Sequence, residues 1–126
     1  MKTILLVDDE YSIVEVLTQL LEEEGYSVAS AANGQEALEL ASASVPDLVI
    51  TDQMMPIMSG SELFLALEKR PSLAKVPVIL ITSAPMAAPR DLRWADFIVK
   101  PFEFDELARV IHRVLRDTKP RATRAT

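Results

Sequence analysis

The stretch Asp47-Leu-Val-Ile-Thr-Asp52-Gln-Met-Met-Pro56-Ile-Met-Ser-Gly60 decides the fold, because it runs from the pattern of a buried strand directly into a carboxylate. The apolar run 48–50 is typical of a strand that is covered on both faces. Asp52 lies where this run meets a loop. Ser59 and Glu62 have the spacing of a capping box, which predicts that a helix begins here. We therefore expect Asp52 to be held between a strand and a helix.

The rest of the chain repeats this alternation of strand and helix. Further buried strands are predicted over 3–7, 26–31, 78–81 and 97–99, and apolar residues recur at the helical period between most of them. Five such strands alternating with helices predict an α/β fold, with one parallel sheet and helices on both faces. For a doubly wound sheet of this size we expect the strand order 2-1-3-4-5, in which the order reverses between the first and third strands.

The composition bounds the domain organisation. A chain of 126 residues with 49% apolar residues is the size of one domain, which we assign to 1–117, and 118–126 is interpreted as a flexible basic tail or linker. The chain has no cysteine, which excludes disulfides and thiolate metal sites. No apolar segment approaches the length of a bilayer span, so we expect a cytoplasmic protein with no membrane partner.

The charge is distributed unevenly along the chain. Residues 1–60 carry one base and eleven acids, a net charge of −10, whereas 61–126 carry twelve bases and eight acids, a net charge of +4. Affinity for nucleic acid comes from neutralising phosphates with Lys and Arg. This balance argues against nucleic acid as a direct ligand of the domain.

Acidic residues end two strands that the predicted order makes neighbours. Asp8 and Asp9 follow the first strand, and Asp52 ends the third. Crowded carboxylates repel each other, so the cluster favours a bound cation, and oxygen ligands alone favour Mg²⁺, with Mn²⁺ as a possible substitute. Lys100 and Thr82 end the last two strands. An ion, a lysine, a hydroxyl and a nucleophilic carboxylate together predict phosphoryl chemistry.

Four short motifs in order carry a resemblance to a known family. The chain resembles a response-regulator receiver domain of two-component signalling, which has a flavodoxin-like fold, over nearly all of 1–117. Each motif alone is weak, but four in this order are specific. The motifs are Val7-Asp8-Asp9-Glu10, Asp52-Gln-Met-Met-Pro56-Ile-Met58-Ser-Gly60, Pro77-Val-Ile-Leu-Ile-Thr82-Ser83 and Phe97-Ile-Val-Lys100-Pro101-Phe102.

The resemblance implies a role for each site residue. Asp52 would be the phosphoacceptor in a phosphorelay, and Lys100 would pair with its phosphoryl group. Mg²⁺ would be bound directly by Asp9, Asp52 and the backbone carbonyl of Met54, while Asp8 would assist through water. The implied donor is a histidine kinase or a histidine phosphotransfer protein. The domain would be no enzyme beyond assisting its own phosphorylation and dephosphorylation.

The resemblance also implies a switch. Thr82 would be the switch hydroxyl and Phe97 the switch aromatic, and the family usually has a cis peptide bond between Lys100 and Pro101. A phosphoryl group would draw Thr82 and Lys100 inward and so change a face that binds a downstream effector protein. The expected state is a monomer or a weak phosphorylation-dependent dimer.

The segment between the fourth and fifth strands departs from the family pattern. It has 17 residues between Thr82 and Lys100, a few fewer than expected, and 84–90 contains two prolines. The helix expected there, the fourth of the family, is predicted to be short or irregular. Trp94 stands where the family usually has glycine, and we interpret it as a packing residue rather than a partner contact.

Positions near the phosphoacceptor predict how long a phosphoryl group lasts. Met54 and Ala84 offer no polar group to orient an attacking water, which predicts slow to moderate self-dephosphorylation. Four methionines, at 54, 55, 58 and 86, are expected to pack within loops. His112 is expected on the outer face of the last helix, as a surface residue and not a phosphorelay histidine.

Two other classes of function fit the residues less well. A phosphatase of the haloacid dehalogenase type requires a second acid two residues after the nucleophile, and Met54 stands there. A flavodoxin-like cofactor role is disfavoured because no glycine-rich phosphate loop follows the first strand. A pseudo-receiver that binds proteins without being phosphorylated has the same acidic set, and it stays open as the alternative.

Overall fold

The computed structural model describes residues 1–83 and 91–118 of the chain, with the side chains of the last two helical residues left aside. Strands and helices alternate as predicted through the fourth strand, and the described part contains five strands and four helices. In chain order they are β1 (Thr3–Val7), α1 (Tyr11–Glu23), β2 (Ser27–Ala31), α2 (Gly34–Ala43), β3 (Leu48–Asp52), α3 (Gly60–Glu68), β4 (Val78–Thr82), β5 (Asp96–Val99) and α4 (Phe104–Thr118).

The five strands form one parallel sheet in the order β2-β1-β3-β4-β5, which confirms the predicted order. Val7 of β1 pairs with Thr51 of β3, so the residues that follow them, Asp8 and Asp52, leave the sheet side by side. Asp52 in turn pairs with Ile81, one residue before the end of β4. The register therefore brings the ends of β1, β3 and β4 to one edge of the sheet.

Side chains of the central strands alternate between two cores. In β1, Ile4 and Leu6 belong to the core that includes α1 and α4, whereas Leu5 and Val7 belong to the core that includes α2 and α3. This division is the two-layer covering expected for a parallel sheet, whose strands are buried on both faces. The sheet is therefore doubly wound, as predicted.

The helix boundaries follow local signals in the sequence. Ser59 caps α3 by accepting a bond from the Glu62 N–H, and the Glu62 carboxylate accepts one from the Ser59 N–H, which confirms the capping box. After α1, Gly25 adopts a φ of 98°, a conformation that favours glycine. Val16 belongs to the apolar stripe of α1 in the sequence, but it is 55% exposed and so does not lie on the buried face of the helix.

Between β4 and β5, the predicted short or irregular helix falls mainly on 84–90, which lies outside the described residues, and 91–95 are not helical. Trp94 packs against Phe64 of α3 with ring centroids 4.7 Å apart and joins the core beside α2 and α3. Its role as a packing residue is thus confirmed.

Residues 119–126 lie outside the described part, so the assignment of 118–126 as a tail stays a prediction. Across residues 1–83 and 91–118, none of the helices combines the length and the apolar character that crossing a membrane requires.

Gly60 is required by the close approach of α3 to β3. A Cβ atom at this position would lie 2.4 Å from the backbone oxygen of Asp52. Because the neighbour is backbone, the contact cannot be relieved by a side-chain rotation, and α3 would have to shift away from the end of β3.

We expect Gly60→Ala to lower the free energy of unfolding by about 1–3 kcal/mol, the usual cost of overpacking. Urea denaturation followed by circular dichroism measures the change. Ser12→Ala, at an exposed position of α1, is the control and should stay within about 0.5 kcal/mol of the wild type. Equal stability of the Gly60→Ala variant and the wild type would contradict the close approach.

Candidate functional site

Three carboxylates meet at the carboxyl ends of β1 and β3. Oxygen atoms of Asp8, Asp9 and Asp52 all lie within 4.8 Å of one another, and this is the one group of potential metal ligands found among the described residues. Asp8 and Asp52 are only 7% and 8% exposed, whereas Asp9 is exposed to solvent. The cluster is therefore buried at its base and open at one side.

Lys100 supplies the nearest positive charge. Its Nζ atom lies 3.3 Å from Asp8 Oδ2 and 3.4 Å from Asp52 Oδ2, so the last strand reaches back to the first and third. A third carboxylate, that of Glu10, lies 3.6 Å from the same nitrogen. One ammonium group thus faces several acids, and the site keeps an excess of negative charge.

The crowding shifts two pKa values. Burial raises the pKa of Asp8 above its ordinary value, and the charge of Asp52 adds to the rise, although the Glu10 N–H and Lys100 partly oppose it. Burial alone would lower the pKa of Lys100, but the carboxylates of Asp8 and Asp52 outweigh it and raise that pKa. Lys100 therefore stays protonated, and burial makes the ionised form of Asp8 less favourable than it is in water.

The loop that follows β3 orients Asp52. The Gln53 N–H donates to Asp52 Oδ1 at 2.8 Å, while Oδ2 of the same carboxylate faces Lys100. Met54 comes next, and its side chain is 63% exposed, so the prediction that it packs within the loop was wrong. Met55 and Met58 do pack against the core, and Met86 lies outside the described residues.

Thr82 and Phe97, the two residues predicted to switch, lie on the neighbouring strands β4 and β5. Thr82 ends β4 with a fully buried side chain, and its carbonyl accepts a bond from the Lys100 N–H at 2.9 Å. Phe97 is half-buried in β5. The peptide bond between Lys100 and Pro101 is cis, as the resemblance implied. His112 is exposed on α4, as predicted.

Two residues of the site were missed by sequence reasoning. Glu10 was quoted in a motif but given no role, although it approaches Lys100. Gln53 was passed over as a loop residue, yet it is 8% exposed and bonded to the phosphoacceptor candidate. Its position directly after Asp52 was the signal that could have drawn attention to it.

Fold and site together define a class of protein: a doubly wound α/β domain with an acidic pocket suited to a hard cation at the switch point between β1 and β3. A family model described as "Response regulator receiver domain" matches residues 4–112. The chain belongs to this family, and it is a receiver domain of the kind found in two-component response regulators.

Similar proteins include a transcriptional regulator and the receiver domain of a histidine kinase. The phosphate regulon transcriptional regulatory protein PhoB of Rhizobium meliloti is 36% identical over 121 residues, which cover 93% of this chain and 52% of that protein. The receiver domain of a signal transduction histidine kinase from Syntrophus aciditrophicus is 37% identical, with a TM-score of 0.86, and the alignment covers 94% of this chain and 93% of that domain.

A receiver solved with an ion and a phosphoryl mimic is also similar. The response regulator TrrA of Thermotoga maritima, in complex with Mg²⁺-BeF, is 37% identical with a TM-score of 0.81, and the alignment covers 90% of this chain and 99% of that one. The chain spans about half the length of the curated relatives it matches.

We expect Asp8→Asn to raise the free energy of unfolding in EDTA at pH 7.5, because it removes a buried charge whose pKa is raised by burial. A raised folded-state pKa means that wild-type stability is lost as pH rises and regained as pH falls toward the ordinary value of 3.8. The two proteins should therefore converge at low pH. Urea denaturation at pH 7.5 and at a pH near 3.8 measures the difference in unfolding free energy between the two proteins.

The control for this prediction is Glu15→Gln, which removes a charge from the exposed face of α1. It should leave the difference from wild type small at either pH. A less stable Asp8→Asn variant at pH 7.5 would mean that the attraction to Lys100 outweighs the cost of burial.

Proposed function

We propose that this domain accepts a phosphoryl group on Asp52, in a Mg²⁺-dependent reaction, from a histidine kinase or a histidine phosphotransfer protein. One observation carries the proposal: the Asp52 carboxylate lies in a three-acid cluster at the switch point and also contacts Lys100 at 3.4 Å. We also propose that the protein is cytoplasmic, where it would meet this phosphoryl donor.

The donor set suits a small hard ion. Mg²⁺ takes oxygen ligands at about 2.0–2.1 Å in an octahedron, so oxygens on opposite sides of it lie about 4 Å apart. Oxygens of Asp9 and Asp52 lie within 4.8 Å of each other, which is close to this spacing, and an oxygen of Asp8 lies within 4.8 Å of both. In this proposal the ion is held directly by Asp9, Asp52 and the carbonyl of Met54, and by Asp8 through water. Bound there, it would neutralise phosphoryl oxygens, and Mn²⁺ would serve in its place.

Asp52 and Lys100 have different roles in the proposed transfer. A carboxylate oxygen of Asp52 forms a bond to phosphorus while the bond from phosphorus to the donor's imidazole nitrogen breaks, and that nitrogen keeps the electron pair. The product is an acyl phosphate on Asp52. Lys100 neutralises an oxygen of the transferred group, because its pKa keeps it protonated.

The new charge would also act as a switch. A phosphoryl group at Asp52 attracts the Thr82 hydroxyl and Lys100. Phe97 of β5 then turns inward, into the space that Thr82 leaves. The face formed by β5 and its neighbours then changes its affinity for an effector protein. We propose a monomer, or a weak dimer that depends on phosphorylation.

A donor protein must cover the open edge of the site, and an apolar groove adjoins it. This groove of about 700 Å³ runs between α1 and the start of α4. Val16 and Leu20 line one side, Phe102 and Phe104 the other, and Lys100 its inner end. The exposure of Val16 is explained if a partner helix packs here. This groove is our candidate surface for the donor.

The chain would not be an enzyme acting on other molecules, because the phosphoryl group stays on its own aspartate until water removes it. The alternative is a pseudo-receiver that binds proteins and is never phosphorylated. The proximity of Lys100 to Asp52 favours the phosphoacceptor, since a binding module has no need of a buried acid paired with a lysine.

We expect the wild type to become phosphorylated when incubated with a small-molecule phosphodonor and Mg²⁺, and Asp52→Asn to remain unmodified. Intact mass and Phos-tag mobility detect the adduct. Asp47→Asn is the matched control, because Asp47 lies at the opposite end of β3 and its side chain accepts a bond from the Thr3 N–H. It should be phosphorylated like the wild type.

Removing the ion with EDTA should abolish the modification without unfolding the protein. Phosphorylation that persists in Asp52→Asn or in EDTA would contradict the assignment, and an unmodified wild type would favour the pseudo-receiver.

We expect Met54→Asn to shorten the lifetime of the phosphorylated protein by about tenfold, a modest part of what a positioned polar group contributes to proton transfer and water orientation. Met54 is exposed beside the site, so the change should not disturb the core. The second position proposed for this effect, Ala84, lies outside the described residues. Loss of the adduct with time, followed on Phos-tag gels, measures the lifetime, and Val45→Asn, which also changes an exposed apolar residue, is the control. An unchanged lifetime would contradict the role of position 54.

A further inference from the structure

Gln53 is a buried polar residue that the proposed reaction does not use. Its side chain is 8% exposed, and its Oε1 atom accepts bonds from the Ser61 N–H at 2.9 Å and from the Ser61 hydroxyl at 2.8 Å. Burying a side-chain amide costs free energy unless its polar atoms form hydrogen bonds. Two donors on one oxygen, both from the same residue, indicate a fixed orientation.

The backbone of Gln53 is held as firmly as its side chain. Its N–H donates to Asp52 Oδ1 at 2.8 Å, and its carbonyl accepts from the Gly60 N–H at 3.0 Å. Gly60 also leaves the space that the amide occupies, since a Cβ there would lie 3.1 Å from Gln53 Oε1. Gln53 thus closes the loop 53–60 at its base and satisfies two first-turn N–H groups of α3.

The loop that Gln53 closes contains an unfavourable backbone conformation. Ile57 has a φ of 71°, which a β-branched residue rarely adopts, and it is 79% exposed. Such a conformation persists only when neighbouring contacts determine it. At the far side of the loop, the Met58 carbonyl accepts from the Gly34 N–H at a longer 3.3 Å. Across Ile57 itself, the Met58 N–H donates to the Pro56 carbonyl at 2.7 Å, and the most numerous contacts that tie the loop to its surroundings are those of Gln53.

We propose that Gln53 is a positioning residue for the divalent ion: anchored by Ser61, it fixes the loop so that the Asp52 carboxylate and the Met54 carbonyl face the ion together. This inference rests on the proposed function, because it assigns Met54 and Asp52 as ligands. Gln53 touches neither the ion nor the phosphoryl group. It acts through the peptide that links these two ligands.

Removing the anchor should weaken ion binding. Gln53→Met keeps the volume but removes the acceptor, so the Ser61 N–H and hydroxyl lose their partner. We expect its Kd for Mg²⁺ to rise about tenfold, the lower end of the usual effect of residues that support metal ligands. Ser61→Ala removes one neutral hydrogen bond and should raise the Kd about threefold. Isothermal titration calorimetry without phosphodonor measures both.

Gln35→Met is the matched control. It makes the same chemical change on α2, where the exposed Gln35 side chain donates only a long 3.4 Å bond to Glu39. Its Kd for Mg²⁺ should equal that of the wild type. Urea denaturation in EDTA, run on every variant, separates a loss of stability from a loss of affinity.

A second readout distinguishes positioning from damage to the nucleophile. When the rate of phosphorylation by a small-molecule phosphodonor is measured against Mg²⁺ concentration, Gln53→Met should need about tenfold more Mg²⁺ for half of its maximal rate. Its rate at saturating Mg²⁺ should stay within about twofold of wild type, because Asp52 and Lys100 are unchanged.

The outcomes separate this inference from the function on which it rests. If the wild type binds Mg²⁺ and both variants bind it equally well while losing stability, Gln53 is only a structural anchor and the proposal is wrong. If Gln53→Met does not fold, an unchanged Kd in folded Ser61→Ala overturns it. If the wild type binds no Mg²⁺ and Asp52→Asn behaves identically, the proposed function itself fails.

Discussion

The repulsion among Asp8, Asp9 and Asp52 is the constraint on which the rest of the site depends. The strand order makes β1 and β3 neighbours, and their register sends Asp8 and Asp52 out side by side. Both are almost fully buried, so their charges are poorly screened by water. One lysine is not enough to balance them. The stability of two apolar cores holds together a group of charges that would otherwise separate, and in the function proposed above that excess of negative charge is what attracts the cation.

The architecture could be predicted because its signals are local. Buried parallel strands read as uninterrupted apolar runs, so β1, β3 and β4 were visible directly in the sequence. The start of α3 was equally plain, since Ser59 and Glu62 satisfy each other at fixed spacing. The acidic cluster followed from the fold, because the carboxyl ends of adjacent parallel strands meet at one edge. The individual roles of Phe97 and Met54 came instead from the resemblance to a family.

What could not be predicted depends on partners distant in the chain. Gln53 resembles any polar loop residue until α3 is seen to begin against it, and the seven residues between it and Ser61 give no periodic signal. Val16 fits the apolar stripe of α1, but no element within 1–83 and 91–118 covers it. Met54 was expected to pack, yet the anchoring of its neighbour leaves its side chain in solvent. In each case tertiary contacts override a sound local preference.

The two sides of the site differ in how firmly they are held, and this difference indicates which side would respond to the proposed phosphorylation. On the side of β3 and α3, the contacts of Gln53 with Asp52, Gly60 and Ser61 are 2.8–3.0 Å long. On the side of β5, the side chain of Lys100 is held only by three carboxylate contacts of 3.3–3.6 Å. Charge added at Asp52 would therefore have a well-anchored loop on one side. On the other side, the Lys100 side chain could exchange its carboxylate contacts for the added group. Since the Lys100 N–H also donates a hydrogen bond to the carbonyl of Thr82, a shift of this lysine would bear directly on the end of β4, and in the proposed function the response would be directed toward β4 and β5 rather than α3.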